Sequence, residues 1–293
     1  MGMVMFSFLS ALATPLTART TTAKTLAKCL CAPLALSFLA LPATAPAEQM
    51  SDIVRIEVLD GGTTRRGTHM GALRLTLSEG WKTYWRAPGD AGIPPRFSWQ
   101  GSRNVGAVAI RWPTPEVFLT SGFRTIGYHD QLVLPVEITP AKPGQPLRLK
   151  GRMELGICKD VCIPSELRFD QALKPDSPRN PAIVAALADR PWSAKEAGVQ
   201  AATCALSPSR YGMELVARIT MPSAGGEEVV VVEPGVPSLV TTETTTSRQG
   251  HQLTAKTEII SADGGPFAVD RSQMRITVLG QNRAVDIQGC TRH

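Results

Sequence analysis

The chain has 293 residues, of which 43% are hydrophobic and 19% are charged, a composition that excludes a disordered or fibrous protein. The length allows one large or two ordinary domains. The formal net charge is +6, and the 25 glycines and 23 prolines favour short strands and turns over long helices.

The first 47 residues predict a secretory signal peptide. They contain no acid and three bases, Arg19, Lys24 and Lys28, followed by the apolar run Cys29–Leu41 and a stretch of small residues that ends at Ala47. A positive start, a short apolar region and an A-x-A site are typical of an export signal, here cleaved after Ala47. The apolar run is short for a membrane span, and an uncleaved anchor is the alternative.

Removing this segment leaves 246 residues and lowers the formal net charge from +6 to +3. A charge so small and mixed in sign excludes the clustered basic face of a nucleic-acid-binding protein. No later run reaches the roughly 18–20 apolar residues that a span needs, so the mature chain is not expected to be membrane-embedded. Four cysteines remain, and in an oxidising compartment an even number predicts disulfides.

The region from residue 53 to about residue 169 has the pattern of short strands separated by turns. Leu73, Leu75 and Leu77 alternate with polar residues, as in a strand with one buried face. Seven or so strands in about 120 residues predict a β-sandwich. The predicted strands include Ile53–Leu59, Leu73–Leu77, Val105–Trp112, Leu132–Ile138 and Leu147–Leu155.

A proline-rich linker follows, with Lys174–Pro181 at its start and one short helix predicted at Ala182–Asp189, ended by Pro191. A second set of strands begins at about residue 194. Its predicted strands are Met213–Ile219, Glu228–Glu233, Leu239–Thr246, Gln252–Ile260, Met274–Leu279 and Arg283–Ile287.

The expected fold is therefore all-β, with two β-sandwich domains in tandem. We expect the signal peptide at 1–47, the first domain at 48–172, the linker with its helix at 173–193, and the second domain at 194–293. Four of the five tryptophans lie between Trp81 and Trp112, in the first domain. This contrast favours a functional site in the first domain and a scaffold role for the second.

Cys204 and Cys290 lie near the two ends of the second domain, 86 residues apart. A bond between them would stabilise the domain by roughly 4–5 kcal/mol in the chain-entropy model, so we predict a structural disulfide. Cys158 and Cys162 would close a short loop worth only about 2 kcal/mol. A bond that stabilises so little is readily reduced, which leaves an ordinary local disulfide and a redox-active pair both open.

The local sequence places Cys158 and Cys162 at a hairpin tip or strand corner, because apolar strand ends flank Lys159–Val161. Two thiolates at this spacing can also hold Cu(I), although no Met-rich or His-rich cluster accompanies them. A cysteine hydrolase using His129 or His69 is a weaker alternative. Zinc would need two further ligands, which the nearby sequence does not supply.

Several separated motifs resemble the N-terminal periplasmic domain of the DsbD family, in particular its ScsB-like, copper-tolerance-associated branch. The resemblance covers about residues 50–170 and is weaker over the second domain. The motifs in chain order are Gly80-Trp-Lys-Thr-Tyr-Trp-Arg-Ala-Pro-Gly-Asp-Ala-Gly-Ile-Pro-Pro95, Trp112–Glu116, Gly127-Tyr128, Leu134–Val136 and Cys158–Pro164.

The resemblance implies immunoglobulin-like domains and a protein-disulfide reductase role without a small-molecule cofactor or metal. Cys158 and Cys162 would be the catalytic pair, with Cys162 forming the mixed disulfide with a partner. The family covers its cysteines with a cap loop that carries an aromatic residue. Here Phe118–Tyr128 corresponds to that loop, with Phe123 and Tyr128 as the shielding residues.

The resemblance also implies the partners and the compartment. Reducing equivalents would come from thioredoxin-like proteins and a membrane thiol-reductant transporter, here as separate chains, because this sequence has neither of those domains. The acceptors would be periplasmic thiol proteins such as disulfide isomerases, cytochrome c maturation proteins or copper-tolerance partners. The cysteine spacing is tighter than in the best-known DsbD domain. The alternatives are a Cu(I)-binding protein and a non-catalytic interaction domain that keeps a structural disulfide.

Overall fold

The computed structural model describes residues 50–120 and 122–292. The predicted signal peptide therefore lies outside the described residues. Helix in the described part is limited to one turn, α1 (Met50–Ile53), and an eight-residue helix, α2 (Pro181–Ala188). Neither helix is long and apolar enough to cross a membrane. The rest of the ordered backbone is strand and turn, as the glycine and proline content predicts.

Antiparallel strands build two sheets in the first domain. One sheet has the order β1-β2-β8-β5, and the other has the order β10-β9-β3-β7-β6 with β4 paired to β9. The strands are β1 (Val54–Thr63), β2 (His69–Leu77), β3 (Lys82–Gly89), β4 (Arg96–Ser98), β5 (Val105–Ile110), β6 (Glu116–Thr120), β7 (Phe123–His129), β8 (Gln131–Pro140), β9 (Leu147–Cys158) and β10 (Cys162–Leu173).

The core between these sheets follows from the alternation of apolar residues. Leu73 and Leu75 on β2 and Leu134 on β8 are fully buried, and each such side chain contributes about 1.5–3 kcal/mol by leaving water. The domain has more strands than the seven predicted, because β3, β6 and β7 mix polar and apolar residues and lack a simple period of two. The sandwich itself is confirmed.

The helix α2 lies one residue from its predicted position. Asn180 caps its N-terminus by accepting a hydrogen bond from the Ala182 N–H at 3.0 Å, and Pro181 occupies the first helical turn, where a missing N–H costs nothing. Ile183 is buried against Leu59 and Ala72, so the helix packs on the outer face of the first sandwich.

The second domain is also a sandwich of two sheets. Their orders are β11-β19-β18-β14 and β15-β17-β13-β12-β20, with β16 paired to β17. The strands are β11 (Trp192–Ser193), β12 (Ala201–Pro208), β13 (Met213–Thr220), β14 (Val229–Glu233), β15 (Leu239–Thr241), β16 (Thr245–Gln249), β17 (Gln252–Ser261), β18 (Arg275–Leu279), β19 (Ala284–Gln288) and β20 (Thr291–Arg292).

The single strand predicted at Leu239–Thr246 is wrong, because the structure divides this segment into β15 and β16. Both pair with β17, β15 near Ile260 and β16 from Gln252 to Lys256. Between them the chain leaves the ladder, and the Thr242 carbonyl accepts a hydrogen bond from the Thr257 hydroxyl. The two domains together give the predicted all-β, immunoglobulin-like fold.

The valines of β14 are buried on both sides of their sheet. Val230 and Val232 belong to the core of the second domain, whereas Val229 joins the core cluster of the first domain together with Leu279 and Ala284. A strand covered on both faces is typically a continuous apolar run rather than an alternating one. The two sandwiches therefore share a packed apolar contact through this sheet.

Cys204 and Cys290 are joined by a disulfide, with their Cα atoms 5.8 Å apart. Cys204 lies on β12 and is fully buried in the core of the second domain. Cys290 comes just before β20, which pairs in parallel with β12. The bond thus joins an early strand of the domain to its last one.

Candidate functional site

The second disulfide, Cys158–Cys162, closes the β9–β10 hairpin. The two cysteines are directly opposite each other in the ladder, with Cα atoms 4.2 Å apart, and Lys159–Val161 form the turn. The turn is closed by the Lys159 N–H, which donates to the Val161 carbonyl at 3.1 Å. This confirms the predicted hairpin tip.

The two sulfur-bearing residues differ in their access to solvent. Cys158 is 1% exposed, because β9 lies inside the sheet between β10 and β3. Cys162 is exposed, because β10 is an edge strand of that sheet. An incoming thiolate can therefore reach the sulfur of Cys162 more readily than that of Cys158.

A tyrosine hydroxyl contacts both sulfur atoms. The Tyr84 hydroxyl donates a hydrogen bond to the Cys158 Sγ at 2.9 Å and lies 3.2 Å from the Cys162 Sγ. Tyr84 is buried, and this burial raises the pKa of its phenol. The hydroxyl therefore keeps its proton at neutral pH and remains a hydrogen-bond donor to sulfur.

The ring of Tyr84 fits into its position because two neighbouring residues lack a Cβ. A Cβ on Gly156 would lie 2.8 Å from the Ile93 Cβ and 3.1 Å from the Tyr84 Cδ2. A Cβ on Gly92 would lie 2.8 Å from the Tyr84 Cδ1. Where neighbouring atoms approach the backbone this closely, only glycine fits without movement of its neighbours. The loop that carries Gly92 and Ile93 thus packs over the tyrosine.

A lysine and two aromatic rings lie on the same face of the sheet as Cys158, on the strands that follow β9 in the sheet order. Lys82 is directly opposite Cys158 on one side and His129 on the other. Its Nζ lies 5.2 Å from the centroid of the Phe118 ring, and the Phe118 and His129 rings are 6.1 Å apart. Burial lowers the pKa of Lys82. A thiolate formed at Cys158 would have Lys82 as its cross-strand neighbour, with the Lys82 Nζ directed toward Phe118.

Of the two residues predicted to shield the cysteines, one is exposed and the other is buried in the core. Phe123 is 56% exposed at the start of β7, six residues along that strand from His129. Its role in a cap stays a prediction. Tyr128 does not face the cysteines: it is buried in the core, on the opposite face of the sheet, and its hydroxyl donates to the Pro113 carbonyl at 2.9 Å. The tyrosine that contacts the two sulfur atoms is Tyr84, which lies within the motif that begins at Gly80.

His69 and His129 are the two histidines that could serve a cysteine hydrolase. The first lies apart from the cysteines, and the second is exposed. His69 is buried on β2, where its Nε2 lies 2.7 Å from the Asp60 Oδ1. His129 lies 3.4 Å from the carboxylate of Glu116. Within residues 50–120 and 122–292, no three His, Cys, Asp or Glu side chains form a group that would hold a metal ion.

Comparisons with known proteins find a family model and solved structures that match this chain. Residues 57–174 match the family model described as "Thiol:disulfide interchange protein DsbD, N-terminal". The 244 matching chains of solved structures include the N-terminal periplasmic domain of ScsB from Proteus mirabilis. That domain is 20% identical with a TM-score of 0.63, and the match covers 84% of this chain and 97% of that chain. A search of curated proteins found no match.

The two comparisons differ in extent. The family match includes the β9–β10 hairpin and ends before the second domain, whereas the similarity in fold continues into that domain. The resemblance to the DsbD N-terminal domain, inferred from the motifs, is thereby confirmed over residues 57–174.

Proposed function

Because residues 57–174 form a DsbD N-terminal-like domain of the thiol:disulfide interchange family, we propose that Cys158 and Cys162 carry out thiol–disulfide exchange with other proteins. The observation that supports this most directly is the asymmetry of the pair. Cys162 is an exposed residue and Cys158 a buried one, and the Tyr84 hydroxyl contacts the sulfur atoms of both.

Reduction of the pair begins with a dithiol donor. A thiolate of the donor attacks the Cys162 Sγ, the Cys158–Cys162 bond breaks, and Cys158 leaves as a thiolate while a mixed disulfide forms on Cys162. The second donor thiol, after losing its proton, then attacks the donor sulfur of that mixed disulfide. The donor leaves oxidised, and the pair gains two electrons and two protons.

The reduced pair then passes its two electrons to an acceptor protein. In this direction Cys162 is the attacking thiolate rather than the sulfur that is attacked. The Cys162 thiolate attacks an acceptor disulfide, and one acceptor sulfur leaves as a thiolate. Cys158, deprotonated, then attacks the Cys162 Sγ and releases the second acceptor thiolate. The protons from Cys158 and Cys162 pass to the two acceptor thiolates, which restores the Cys158–Cys162 bond and balances the exchange.

Two side chains assist the step in which Cys158 leaves. The Tyr84 hydroxyl donates to the Cys158 Sγ and stabilises the negative charge that develops there. Lys82, opposite Cys158 in the ladder, favours the same thiolate electrostatically. A leaving thiolate that is stabilised in this way departs faster.

The proposed partners are thioredoxin-like proteins and a membrane thiol-reductant transporter as donors, on separate chains. The proposed acceptors are periplasmic thiol proteins, among them disulfide isomerases, cytochrome c maturation proteins and copper-tolerance partners. The proposed compartment is the periplasm, reached through the predicted signal peptide, and the reaction uses no small-molecule cofactor.

The proposal is tested by trapping partners on single-cysteine variants. A Cys158→Ser chain keeps the exposed sulfur and cannot resolve a mixed disulfide, so it should accumulate disulfide-linked thiol proteins in the periplasm. The Cys162→Ser chain, which keeps only the buried sulfur, is the matched control and should trap far less. The proposal fails if neither variant traps a protein and the wild-type Cys158–Cys162 bond resists a thioredoxin-like donor as strongly as Cys204–Cys290 does. Cysteine-dependent uptake of Cu(I) without exchange would favour the copper-binding alternative.

A further inference from the structure

A partly buried ion pair joins the strand of Tyr84 to the second domain. The Nε and Nη2 of Arg86, on β3, donate to the two carboxylate oxygens of Glu233, on β14, both at 3.0 Å. The Nη2 also lies 3.3 Å from the Thr277 hydroxyl on β18. The side chain of Arg86 is 13% exposed, and its guanidinium lies 3.9 Å from the centroid of the Trp85 ring. A bidentate pair in this setting fixes orientation as well as distance.

Apolar residues of both domains pack beside this pair, whose charged neighbours are Arg275 and Asp286. Val229, Leu279 and Ala284 of the second domain belong to the same buried cluster as Trp85 and the core of the first domain. Shielding from water strengthens the Arg86–Glu233 interaction relative to a surface pair. The contact therefore holds β3 firmly against the second domain.

A second contact joins the second domain to β7, the strand that pairs with β3 on the side away from β9. Arg124, on β7, has its Nη1 3.4 Å from the Glu243 carboxylate and 3.5 Å from the Thr244 carbonyl, both in the second domain. Its backbone N–H donates to the Asp90 carboxylate at 3.0 Å, just beyond the end of β3. The second domain thus contacts both β3 and β7.

The backbone pairing of this part of β3 within the first domain is incomplete. The pairing of β3 with β9 covers only Lys82 and Thr83. Its pairing with β7 stops at Tyr84 and resumes only at Gly89. After Tyr84 the ladder therefore gives β3 no regular backbone pairing until Gly89. Two side chains fix the strand here, Trp85, which is fully buried in the core cluster, and Arg86, which is bound to Glu233.

We propose that the second domain is a positioning domain for the redox pair, and that Arg86 and Glu233 are its positioning residues. By fixing β3 two residues beyond Tyr84, it keeps the Tyr84 hydroxyl on the sulfurs of Cys158 and Cys162. This inference rests on the proposed function and assigns to the second domain a part in the same reaction.

The test compares the full mature chain with its Glu233→Gln variant. Glutamine keeps the size of the side chain and removes its charge, so Arg86 loses its bidentate partner. We expect the equilibrium constant for reduction of Cys158–Cys162 in glutathione buffers to fall by about threefold, because the hydrogen bond from Tyr84 to the thiolate is weakened. The Thr277→Val variant, a smaller change to the same contact, should shift the equilibrium in the same direction by less.

The control is Glu228→Gln, which removes a buried carboxylate of the second domain that pairs with Arg248 and not with the first domain. It destabilises the second domain and should leave the equilibrium constant unchanged. An unchanged constant in Glu233→Gln, or an equal shift in Glu228→Gln, would overturn the inference. If Glu233→Gln shifts the constant while the wild type fails to exchange with protein donors, the positioning role holds and the proposed function fails.

Discussion

Lys82 lies directly opposite Cys158 in the antiparallel ladder of β3 and β9. The two residues are on adjacent strands although the sequence separates them by more than seventy positions. Together with Tyr84, this arrangement puts a hydroxyl donor on the Cys158 sulfur and a lysine on the neighbouring strand, and leaves the exposed Cys162 at the sheet edge. In the proposed exchange, the Tyr84 hydroxyl would stabilise the thiolate that leaves at Cys158.

The Tyr84→Phe variant removes the hydroxyl and keeps the buried ring. We expect reduction of Cys158–Cys162 by dithiothreitol to slow by about tenfold, because a hydrogen bond to a charged group contributes ~1.5–3 kcal/mol. Stopped alkylation and mass measurement would give the rate. The matched control is Tyr128→Phe, whose hydroxyl bonds to the Pro113 carbonyl. Equal rates in wild type and Tyr84→Phe would exclude the role of this hydroxyl.

The Gly156→Ala variant introduces a Cβ between Ile93 and Tyr84. Because the new atom would lie 2.8 Å from the Ile93 Cβ, the neighbours must shift, and we expect a loss of about 1–3 kcal/mol in the free energy of unfolding. Exchange at Cys158–Cys162 should also slow, since the tyrosine is displaced. Urea denaturation and the dithiothreitol assay measure the two effects. Gly265→Ala, where no atom lies within 4 Å of the new Cβ, should change neither.

The Cys204→Ser/Cys290→Ser variant opens the long loop of the second domain. We expect the free energy of unfolding to fall by about 3–5 kcal/mol, since the unfolded chain regains the entropy of an 86-residue loop. Denaturant unfolding measures this loss. Cys158→Ser/Cys162→Ser should cost only about 2 kcal/mol by the same reasoning. A larger loss from the short pair than from the long one would contradict the structural assignment of Cys204–Cys290.

Stability should depend on pH through Glu137, a buried carboxylate on β8. Its oxygens accept from Arg111 at 2.6 Å, Arg66 at 2.7 Å and Thr68 at 3.0 Å, and the hydrogen bond from Arg111 is the main cause of its lowered pKa. A carboxyl whose pKa is lowered by folding stabilises the protein above its unfolded pKa of about 4.3, and this contribution is lost as the pH falls toward the folded value.

Glu137→Gln should therefore lower the free energy of unfolding by about 1–2 kcal/mol at pH 7, and the difference from wild type should shrink below about pH 4. Denaturation at several pH values measures this. The control is Glu57→Gln, because the pair of Glu57 with Arg74 is more exposed and should contribute no more than about 0.5 kcal/mol. A difference that stays constant down to pH 2 would refute the assignment.

Much of the fold could be predicted from local sequence. Leu73 and Leu75 on β2, and Met213 to Ile219 on β13, follow the period of two that marks a strand with one buried face, and the structure confirms both. The β9–β10 hairpin was also predictable, because the turn residues Lys159–Val161 lie between two apolar strand ends. These features depend on neighbours a few residues away.

The surroundings of the cysteines were not predictable in this way. Tyr84 reaches the sulfur of Cys158 across 74 positions of sequence, and Arg86 reaches Glu233 across 147. Such contacts depend on which strands become neighbours, and the periodicity of one strand carries no information about its partner. The Gly80-Trp-Lys-Thr-Tyr segment is recognisable as a motif in the sequence. Only the register of β3 with β9 shows that its tyrosine contacts the two sulfur atoms.

The pairing of Cys158 with Cys162 in the ladder determines how much of the chain is released when their disulfide is broken. The two residues face each other inside a hairpin of two twelve-residue strands, so the backbone already holds them together without the covalent bond. Breaking the bond releases a loop of only a few residues, whereas breaking Cys204–Cys290 would release most of a domain. If the pair acts in exchange as proposed, the short disulfide would open and close within a hairpin that stays folded.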